Sequence, residues 1–163
     1  MRVAIGSDRR GYDYKSRLAA HLKEGGHEVV DVGPRDDSLP VDYPIYAQKA
    51  SELVSLGICD RGVVVCATGI GVMIAANKVR GVRCGMAYAD DVARLMREHN
   101  DANVIAFGQD HMAYSDIERR LDIFLGSDFA AGYHCSRIQQ LSDIENGIRI
   151  SQTPIQGQFE GKR

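Results

Sequence analysis

Residues 61–78 of the chain read Arg-Gly-Val-Val-Val-Cys-Ala-Thr-Gly-Ile-Gly-Val-Met-Ile-Ala-Ala-Asn-Lys. The apolar run 63–65 is typical of a buried strand, and the helix-forming run 72–78 follows a glycine-containing turn. This strand–turn–helix pattern places the Cys66 thiol and the Thr68 hydroxyl beside outward-pointing backbone N–H groups and the unpaired donors of a helix start. Such a site suits anion binding, or stabilisation of an oxyanion that forms next to a base.

Short apolar runs alternate with longer amphipathic runs along the rest of the chain. Regular β–α alternation favours a parallel sheet that is covered by helices on both faces. We therefore expect an α/β fold, a three-layer α-β-α Rossmann-like sandwich with a central five-stranded parallel sheet. The predicted strands are 3–5, 28–32, 62–66, 83–87 and 104–107, and the predicted helices lie near 14–22, 46–54, 72–78, 91–99, 116–125 and 134–146.

A parallel sheet binds its ligands beyond the carboxyl ends of its strands. The polar, proline-containing segment 34–44 is long enough for a connecting loop to suggest a functional role. We expect the ligand edge of the sheet to be built from residues 7–11, 33–43, 66–71, 88–91 and 108–111.

Composition narrows the class of protein. A chain of 163 residues fits one domain, which we expect over residues 1–150, followed by a polar tail over 151–163. The formal net charge of −2 argues against a nucleic-acid-binding or membrane-surface protein, and no apolar stretch is long enough to span a bilayer. The four cysteines show no Cys-x-x-Cys spacing, so we expect reduced thiols and a cytoplasmic location.

The strand–turn–helix unit allows two other interpretations. Cys66 at the end of a buried strand is also what a small core residue would look like. Gly69 and Gly71 begin a dinucleotide-binding fingerprint, with Asp90 at a suitable distance, but Ile74 occupies the position of the third glycine. The fingerprint also follows the third predicted strand and not the first, which argues against a dinucleotide site.

His99 ends a predicted helix and is followed by Asn100. One interpretation is structural: a protonated imidazole complements the helix C-terminus, and Asn100 is the left-handed cap. The alternative is a titrating imidazole at the ligand edge of the sheet.

Other charged residues are ambiguous in the same way. Asp8 follows the first strand and is either a turn residue or part of a site. Arg9, Arg10 and Arg137 are either solvated charges or donors of forked hydrogen bonds to an anionic substrate. We expect no metal site from the acidic and histidine side chains near the fifth strand, which are Asp110, His111 and Asp116.

Several short segments together form a specific pattern. They are Ile5-Gly6-Ser7-Asp8, Asp42-Tyr43-Pro44, Cys66-Ala67-Thr68-Gly69-Ile70-Gly71, Ala75-Ala76-Asn77-Lys78, His99-Asn100-Asp101-x-Asn103, Phe107-Gly108 and His134-x-x-Arg137. With this pattern, nearly all of residues 1–148 resemble the type B ribose-5-phosphate isomerases, a family that includes the galactose-6-phosphate isomerase subunits.

The resemblance implies an aldose–ketose isomerase that works without a metal or cofactor through a cis-enediol(ate). Cys66 would be the base that moves a proton between C1 and C2, because that proton is weakly acidic and needs both a base and donors for the oxyanion. Thr68 would assist proton movement between the two oxygens, and Asp8 and His99 would help to open the sugar ring. Substrate contacts would come from Tyr43, Asn100 and the backbone N–H groups of Ala67, Thr68, Gly69, Ile70 and Gly71.

The resemblance also implies a homodimer, or a tetramer built from two dimers. In that assembly His99 and Asn100 would reach the site of the neighbouring subunit. The partner of the chain would otherwise be a small sugar or sugar phosphate.

Three positions depart from the pattern of family members that act on sugar phosphates. Arg9 stands where such members usually have His, Asp110 where they usually have Arg, and Tyr133 where they usually have another basic residue. Arg137 keeps the typical phosphate-binding group, and Arg9 is a candidate substitute for the missing histidine. The resemblance is therefore closer for proton transfer than for phosphate binding.

Three functions follow from this combination. The first is isomerisation of a sugar phosphate, held differently from ribose 5-phosphate in typical members. The second is the same reaction on an unphosphorylated sugar or a sugar acid, since Asp110 accepts hydrogen bonds from a hydroxyl and Arg9 pairs with a carboxylate. The third is a sugar- or nucleotide-binding protein without turnover.

Overall fold

The computed structural model of the chain describes residues 1–38 and 40–151, so almost all of the predicted tail lies outside the described residues. None of the described helices is both long enough and apolar enough to cross a membrane. In chain order the elements are β1 (Arg2–Ser7), α1 (Tyr12–Glu24), β2 (Glu28–Gly33), α2 (Tyr43–Ser55), β3 (Arg61–Cys66), α3 (Ile70–Ala76), β4 (Cys84–Met86), α4 (Asp90–Glu98), β5 (Val104–Gly108), α5 (Tyr114–Leu125) and α6 (His134–Glu145).

The five strands form one parallel sheet in the order β2-β1-β3-β5-β4, which confirms the predicted architecture. The strand that carries the sequence pattern, β3, lies at the centre of the sheet. Ser7 at the end of β1 pairs with Val65, and Cys66 pairs with Gly108 at the end of β5. The neighbouring strands β1, β3 and β5 therefore end side by side.

The side chains of β3 alternate between two hydrophobic cores. Val63 and Val65 pack with apolar residues of α1, α4 and α5 on one face of the sheet. Val64 and Cys66 pack with those of α2 and α3 on the other face. This alternation produces the three layers and places the Cys66 side chain on the side of α2 and α3.

The predicted loop 34–44 is shorter in the structure, because α2 begins at Tyr43. Pro44 lies in the first turn of α2, where its missing N–H would have no partner within the helix. Pro44 therefore marks the start of a helix and is not part of the loop.

Lys15 of α1 is a buried cation, with only 2% of its surface exposed. Its Nζ donates to both carboxylate oxygens of Asp31, at 3.0 and 2.8 Å, and to the carbonyl oxygen of Pro34 at 2.7 Å. These bonds satisfy the ammonium group and hold the loop after β2 against α1.

We predict that Lys15→Met lowers the free energy of unfolding by about 2–4 kcal/mol, because it leaves Asp31 without its buried partner. Urea unfolding at equal protein concentration measures the change. The matched control is Lys23→Met at an exposed position of α1, which should change stability by no more than about 0.5 kcal/mol. Equal losses in the two variants would contradict this role of Lys15.

Candidate active site

Three loops are joined by backbone hydrogen bonds at the carboxyl end of β3. The Asp8 N–H donates to the carbonyl oxygen of Val65 at 3.3 Å, on the β1 side. On the β5 side, the Gln109 N–H donates to the Cys66 carbonyl at 2.9 Å and the Asp110 N–H to the Ala67 carbonyl at 3.0 Å. The loops after β1, β3 and β5 therefore meet, as the sequence predicted.

The Cys66 thiol lies inside the turn that follows it. The residue is 5% exposed, and its sulfur accepts a hydrogen bond from the Gly69 N–H at 3.1 Å. Gly69 has a φ of 81°, a left-handed conformation that aims its N–H back at the sulfur. The Thr68 hydroxyl next to it is exposed and accepts from the Ile70 N–H at 3.3 Å. A sulfur with an amide donor suits a group that carries negative charge during a reaction.

Gly108 at the end of β5 fixes the position of the turn. A Cβ atom on this residue would stand 2.5 Å from the carbonyl oxygen of Thr68. Only a glycine lets the two backbones approach this closely. In the sequence, Gly108 appears only within the Phe107-Gly108 pattern, and the signal for this role is a glycine directly after a buried strand.

Asp8 is a half-buried carboxyl group at the same strand edge. Its Oδ1 accepts a hydrogen bond from the Gly11 N–H at 2.8 Å. Burial raises the pKa of Asp8 above its ordinary value of 3.8, although the backbone hydrogen bonds from Gly11 and Arg10 act against this rise. The raised pKa of Asp8 lies closer to neutral pH, which makes the carboxyl group better suited to proton transfer.

Tyr43 also reaches the turn after β3. Its ring lies against Gly71, with ring carbons 3.0 Å from the position that a Cβ of Gly71 would take. The ring is 42% exposed, so one surface is open to a ligand. Arg9 lies exposed on the loop after β1. Tyr43 is thus brought to the site as expected.

Arg10 and Asp110 form an ion pair at the rim of this site. Nη2 of Arg10 lies 2.5 Å from Oδ2 of Asp110. The sequence left open which of Arg9 and Arg10 faces the site, and the structure gives Arg10 a partner there. The charge of Asp110 is balanced by Arg10 and does not act on a ligand alone.

His99 and Asn100 lie at the opposite edge of the sheet. They follow α4, which leads to the amino end of β5, where the Gly62 N–H donates to the Asn103 carbonyl at 3.0 Å. Cys66 is four residues farther along β3 than Gly62, roughly 13 Å at about 3.3 Å per residue. The interpretation of His99 as an imidazole at the ligand edge of its own sheet is therefore wrong.

The left-handed residue at the end of α4 is Asp101, with a φ of 45°, and not Asn100. The Ala102 N–H donates to the Met96 carbonyl at 2.9 Å, and the Asp101 N–H to the Arg97 carbonyl at 3.0 Å. The bond from Asp101 to Arg97, from a left-handed residue to the carbonyl four residues earlier, is the αL motif of a helix end. Asn100 is therefore exposed on the outside of the turn and its side chain is not used as the cap.

A stack of aromatic side chains supports His99. Its ring lies 4.3 Å from that of His134, at an interplanar angle of 16°. Tyr133 lies 4.1 Å from His134 on α6, and the Arg137 guanidinium lies 4.8 Å from the centre of the Tyr133 ring. Burial, followed by the nearby His99 and Arg137, lowers the pKa of His134. Arg137 therefore lies in the same cluster of side chains as His99, and not beside Cys66 of the same chain.

An apolar cleft of about 470 Å³ separates β4 from α6, and it borders Asn100 rather than Cys66. Its walls include Met96 of α4 and the exposed apolar residues Leu141 and Ile144 of α6. Among the described residues, no group of three or more His, Cys, Asp or Glu side chains is arranged to hold a metal ion.

Comparison with known proteins matches residues 3–141 to the family described as Ribose/Galactose Isomerase. Ribose-5-phosphate isomerase B of Escherichia coli is 38% identical over 144 residues, which cover 88% of this chain and 96% of that protein. The Clostridium thermocellum ribose-5-phosphate isomerase B structure has a TM-score of 0.88 at 41% identity, covering 90% of this chain and 99% of that chain. The Mycoplasma genitalium ribose-5-phosphate isomerase B with bound ribulose-5-phosphate has a TM-score of 0.85 at 34% identity, covering 89% and 96%.

We predict that Asp8→Asn stabilises the protein at pH 7 but not near pH 3. The pKa of Asp8 is higher in the folded chain than its ordinary value, so the folded state binds this proton more tightly than the unfolded state. The ionised carboxylate therefore opposes folding above the folded-state pKa, and the effect disappears as the pH falls below the ordinary value of 3.8.

Urea unfolding of both proteins at the two pH values measures the difference. The control is Asp37→Asn in the exposed loop after β2, which should give no such pH-dependent gain. A gain for Asp8→Asn that is equal at both pH values would mean that burial of the charge is not its cause.

Proposed function

Because the chain belongs to the ribose/galactose isomerase family and is therefore an aldose–ketose isomerase, we propose that it interconverts a sugar phosphate of the ribose 5-phosphate and ribulose 5-phosphate type. The Mycoplasma genitalium relative with bound ribulose-5-phosphate supports this substrate class. The proposed reaction is a proton transfer through a cis-enediolate, carried out by side chains and backbone amides.

The contact between the Cys66 sulfur and the Gly69 amide carries this proposal. As a thiolate, Cys66 takes the proton from C2 of the open-chain aldose. The electrons of the C2–H bond form the C1–C2 double bond, and those of the carbonyl move to O1, which becomes the enediolate oxygen. A proton then moves from O2 to O1, the C2 carbonyl forms, and the Cys66 thiol returns its proton to C1.

The surrounding groups have complementary roles in this proposal. The Thr68 hydroxyl lies in the same turn and assists the proton movement from O2 to O1. The N–H groups of residues 67–71 stabilise the negative charge on the enediolate, because fixed donors need no reorganisation as the charge develops. Tyr43 covers one side of the turn and contacts the substrate.

Ring opening needs two proton transfers. One group removes the O1 proton while the bond between C1 and the ring oxygen breaks, and another group delivers a proton to the ring oxygen. We assign this pair of roles to Asp8 and to a His99. The raised pKa of Asp8 supports its share in this chemistry.

We propose that the His99 and Asn100 of each site come from a second copy of the chain, in a homodimer or a pair of dimers. Within one chain they lie at the edge of the sheet opposite Cys66. Ile70 and Ile74 of α3 are 52% and 51% exposed, four residues apart on one helix face beside the turn. A second copy would cover this apolar face and complete the site.

We also propose that the enzyme works in the cytoplasm. All four cysteines lie in the described part of the chain, and each is free. Unpaired thiols, two of them buried, are typical of proteins from reducing compartments.

A second candidate function is the same isomerisation of an unphosphorylated sugar or a sugar acid. The Arg10–Asp110 pair favours it, because a balanced pair at the rim offers hydrogen bonds to hydroxyl groups and little net attraction for a phosphate. Tyr133, which is 60% exposed, likewise places an uncharged ring at the position where family members that act on sugar phosphates usually have a basic residue. Arg9 and Arg137 are the cations that support the phosphate alternative.

An NMR assay in D₂O separates these functions. It follows the formation of ketose and the incorporation of deuterium at C2 of the aldose. Ribose 5-phosphate, free ribose and free allose are tested as separate substrates. Conversion of ribose 5-phosphate alone supports the first function, and conversion of the free sugars supports the second. A protein that binds these sugars without deuterium exchange at C2 would be a binding protein without turnover.

We predict that Cys66→Ala lowers kcat by about 10²–10⁴, because it removes the proposed general base. The same NMR assay measures the loss. Cys135→Ala is the matched control, since it removes an exposed thiol on α6 and should leave kcat unchanged. Full turnover of Cys66→Ala would exclude this residue as the base.

We predict that Asp110→Arg lowers the KM for a phosphorylated substrate about tenfold, because it replaces a carboxylate at the rim with a cation. Glu24→Arg makes the same change of charge at an exposed position of α1 and is the control for net charge. An unchanged or higher KM in Asp110→Arg alone would show that the phosphate does not approach this position.

A further inference from the structure

The turn that carries His99 and Asn100 is held by two arginines from different parts of the chain. Asp101 closes the turn, and both of its carboxylate oxygens are used. Oδ1 accepts from Arg97 Nη1 at 2.8 Å, and Oδ2 accepts from Arg83 Nη2 at 2.7 Å. We call these three side chains, Arg83, Arg97 and Asp101, the arginine clamp.

Arg97 connects the clamp to the protein interior. It is 3% exposed and donates from Nη1 to the Ala102 carbonyl at 2.6 Å and from Nε to the Ser127 carbonyl at 3.3 Å. Its guanidinium lies 5.9 Å from the centre of the Phe124 ring in the core. A planar group with this many fixed acceptors has little freedom to move.

Arg83 holds the turn from the side of β4. Its Nε donates to the carbonyl oxygens of Asn100 and Asp101, at 3.1 and 3.0 Å. Its own backbone is fixed in turn, since the Arg83 N–H donates to Oδ1 of Asn103 at 2.8 Å. The backbone that follows the Asn100 side chain is therefore restrained.

Stability alone does not account for this arrangement. A buried ion pair is often no more stabilising than well-packed apolar side chains of similar volume, because the charges lose their hydration. The left-handed conformation of Asp101 is also one that glycine adopts at lower cost. The clamp fixes the backbone of the turn that carries the exposed Asn100 and directly follows His99, whose ring rests on His134.

We propose that Asp101 is a positioning residue for His99 and Asn100, acting through the arginine clamp on the active site of the neighbouring subunit. The inference rests on the proposed function, in which these two residues complete a site that contains the Cys66 of another chain. A displacement of about 1 Å in such groups lowers the rate by up to about 100-fold.

The test begins with Asp101→Gly, which removes the carboxylate but keeps a residue suited to the left-handed conformation. We expect kcat to fall about 10- to 100-fold. Asp101→Asn keeps a neutral acceptor and the left-handed preference, and should lose less activity. It also serves as the working variant if Asp101→Gly does not fold.

Mixed oligomers decide whether the effect acts across subunits. A dimer with one Cys66→Ala chain and one Asp101→Gly chain contains one site with both defects and one site with neither. Differently tagged chains are co-expressed and the mixed dimers isolated. We expect them to have about half of the wild-type activity per dimer, since one of two symmetric sites is intact. Activity no higher than the mean of the two parents, or full activity of Asp101→Gly itself, would overturn the proposal.

A second readout does not depend on turnover. The imidazole resonances of His99 should shift or broaden in Asp101→Gly, while those of His21, which pairs with Asp122 on α5, stay unchanged. If Cys66→Ala retained full activity, Cys66 would not be the base and the mixed dimers would not report on a shared site, so this readout alone would decide the role of the clamp. Unchanged His99 resonances would then overturn it.

Discussion

The parallel alignment of β1, β3 and β5 is the constraint on which the rest of the structure depends. It makes three strands end side by side, so that the backbone of each following loop bonds to the end of β3. Side-chain alternation along β3 then directs Cys66 towards α2 and α3, into the turn closed by Gly69. The same alignment returns every connecting helix to the other edge of the sheet, and that is why His99 lies far from Cys66 of its own chain.

The sequence was informative wherever structure is decided by neighbours along the chain. The apolar runs before Cys66 and Gly108 predicted buried strands, and the glycines after Cys66 predicted the turn that holds its sulfur. The boundary between the loop after β2 and α2 was predicted wrongly. Pro44 was assigned to a loop although it begins a helix, because a proline fits both places and only the packing of α2 against the sheet decides between them.

The position of His99 could have been derived from topology but not from its local sequence. A histidine followed by asparagine at a helix end looks the same at either edge of a sheet. In a parallel sheet, however, a helix that follows one strand and precedes the next ends at the amino edge. The left-handed position was assigned to Asn100 because asparagine often occupies it, whereas Asp101 takes it with Arg83 and Arg97 bound to its carboxylate.

Contacts between distant segments were beyond the reach of sequence patterns. Arg10 and Asp110 are 100 residues apart, and the sequence showed two neighbouring arginines with nothing to distinguish them. Lys15 had the spacing of an ordinary helix-surface residue, yet its ammonium group is buried against Asp31 and Pro34. Both pairings depend on which loops the strand order brings together.

In the shared site that we propose, the placement of Cys66 and His99 at opposite edges of the sheet makes catalysis depend on protein concentration. For a site shared as we propose, an isolated chain contains a base without the imidazole that opens the sugar ring. Specific activity is then not a constant of the chain but a saturable function of its own concentration, half-maximal near the dissociation constant of the pair. Below that concentration most chains are folded but inactive monomers. Total activity then rises more steeply than the amount of chain that is synthesised.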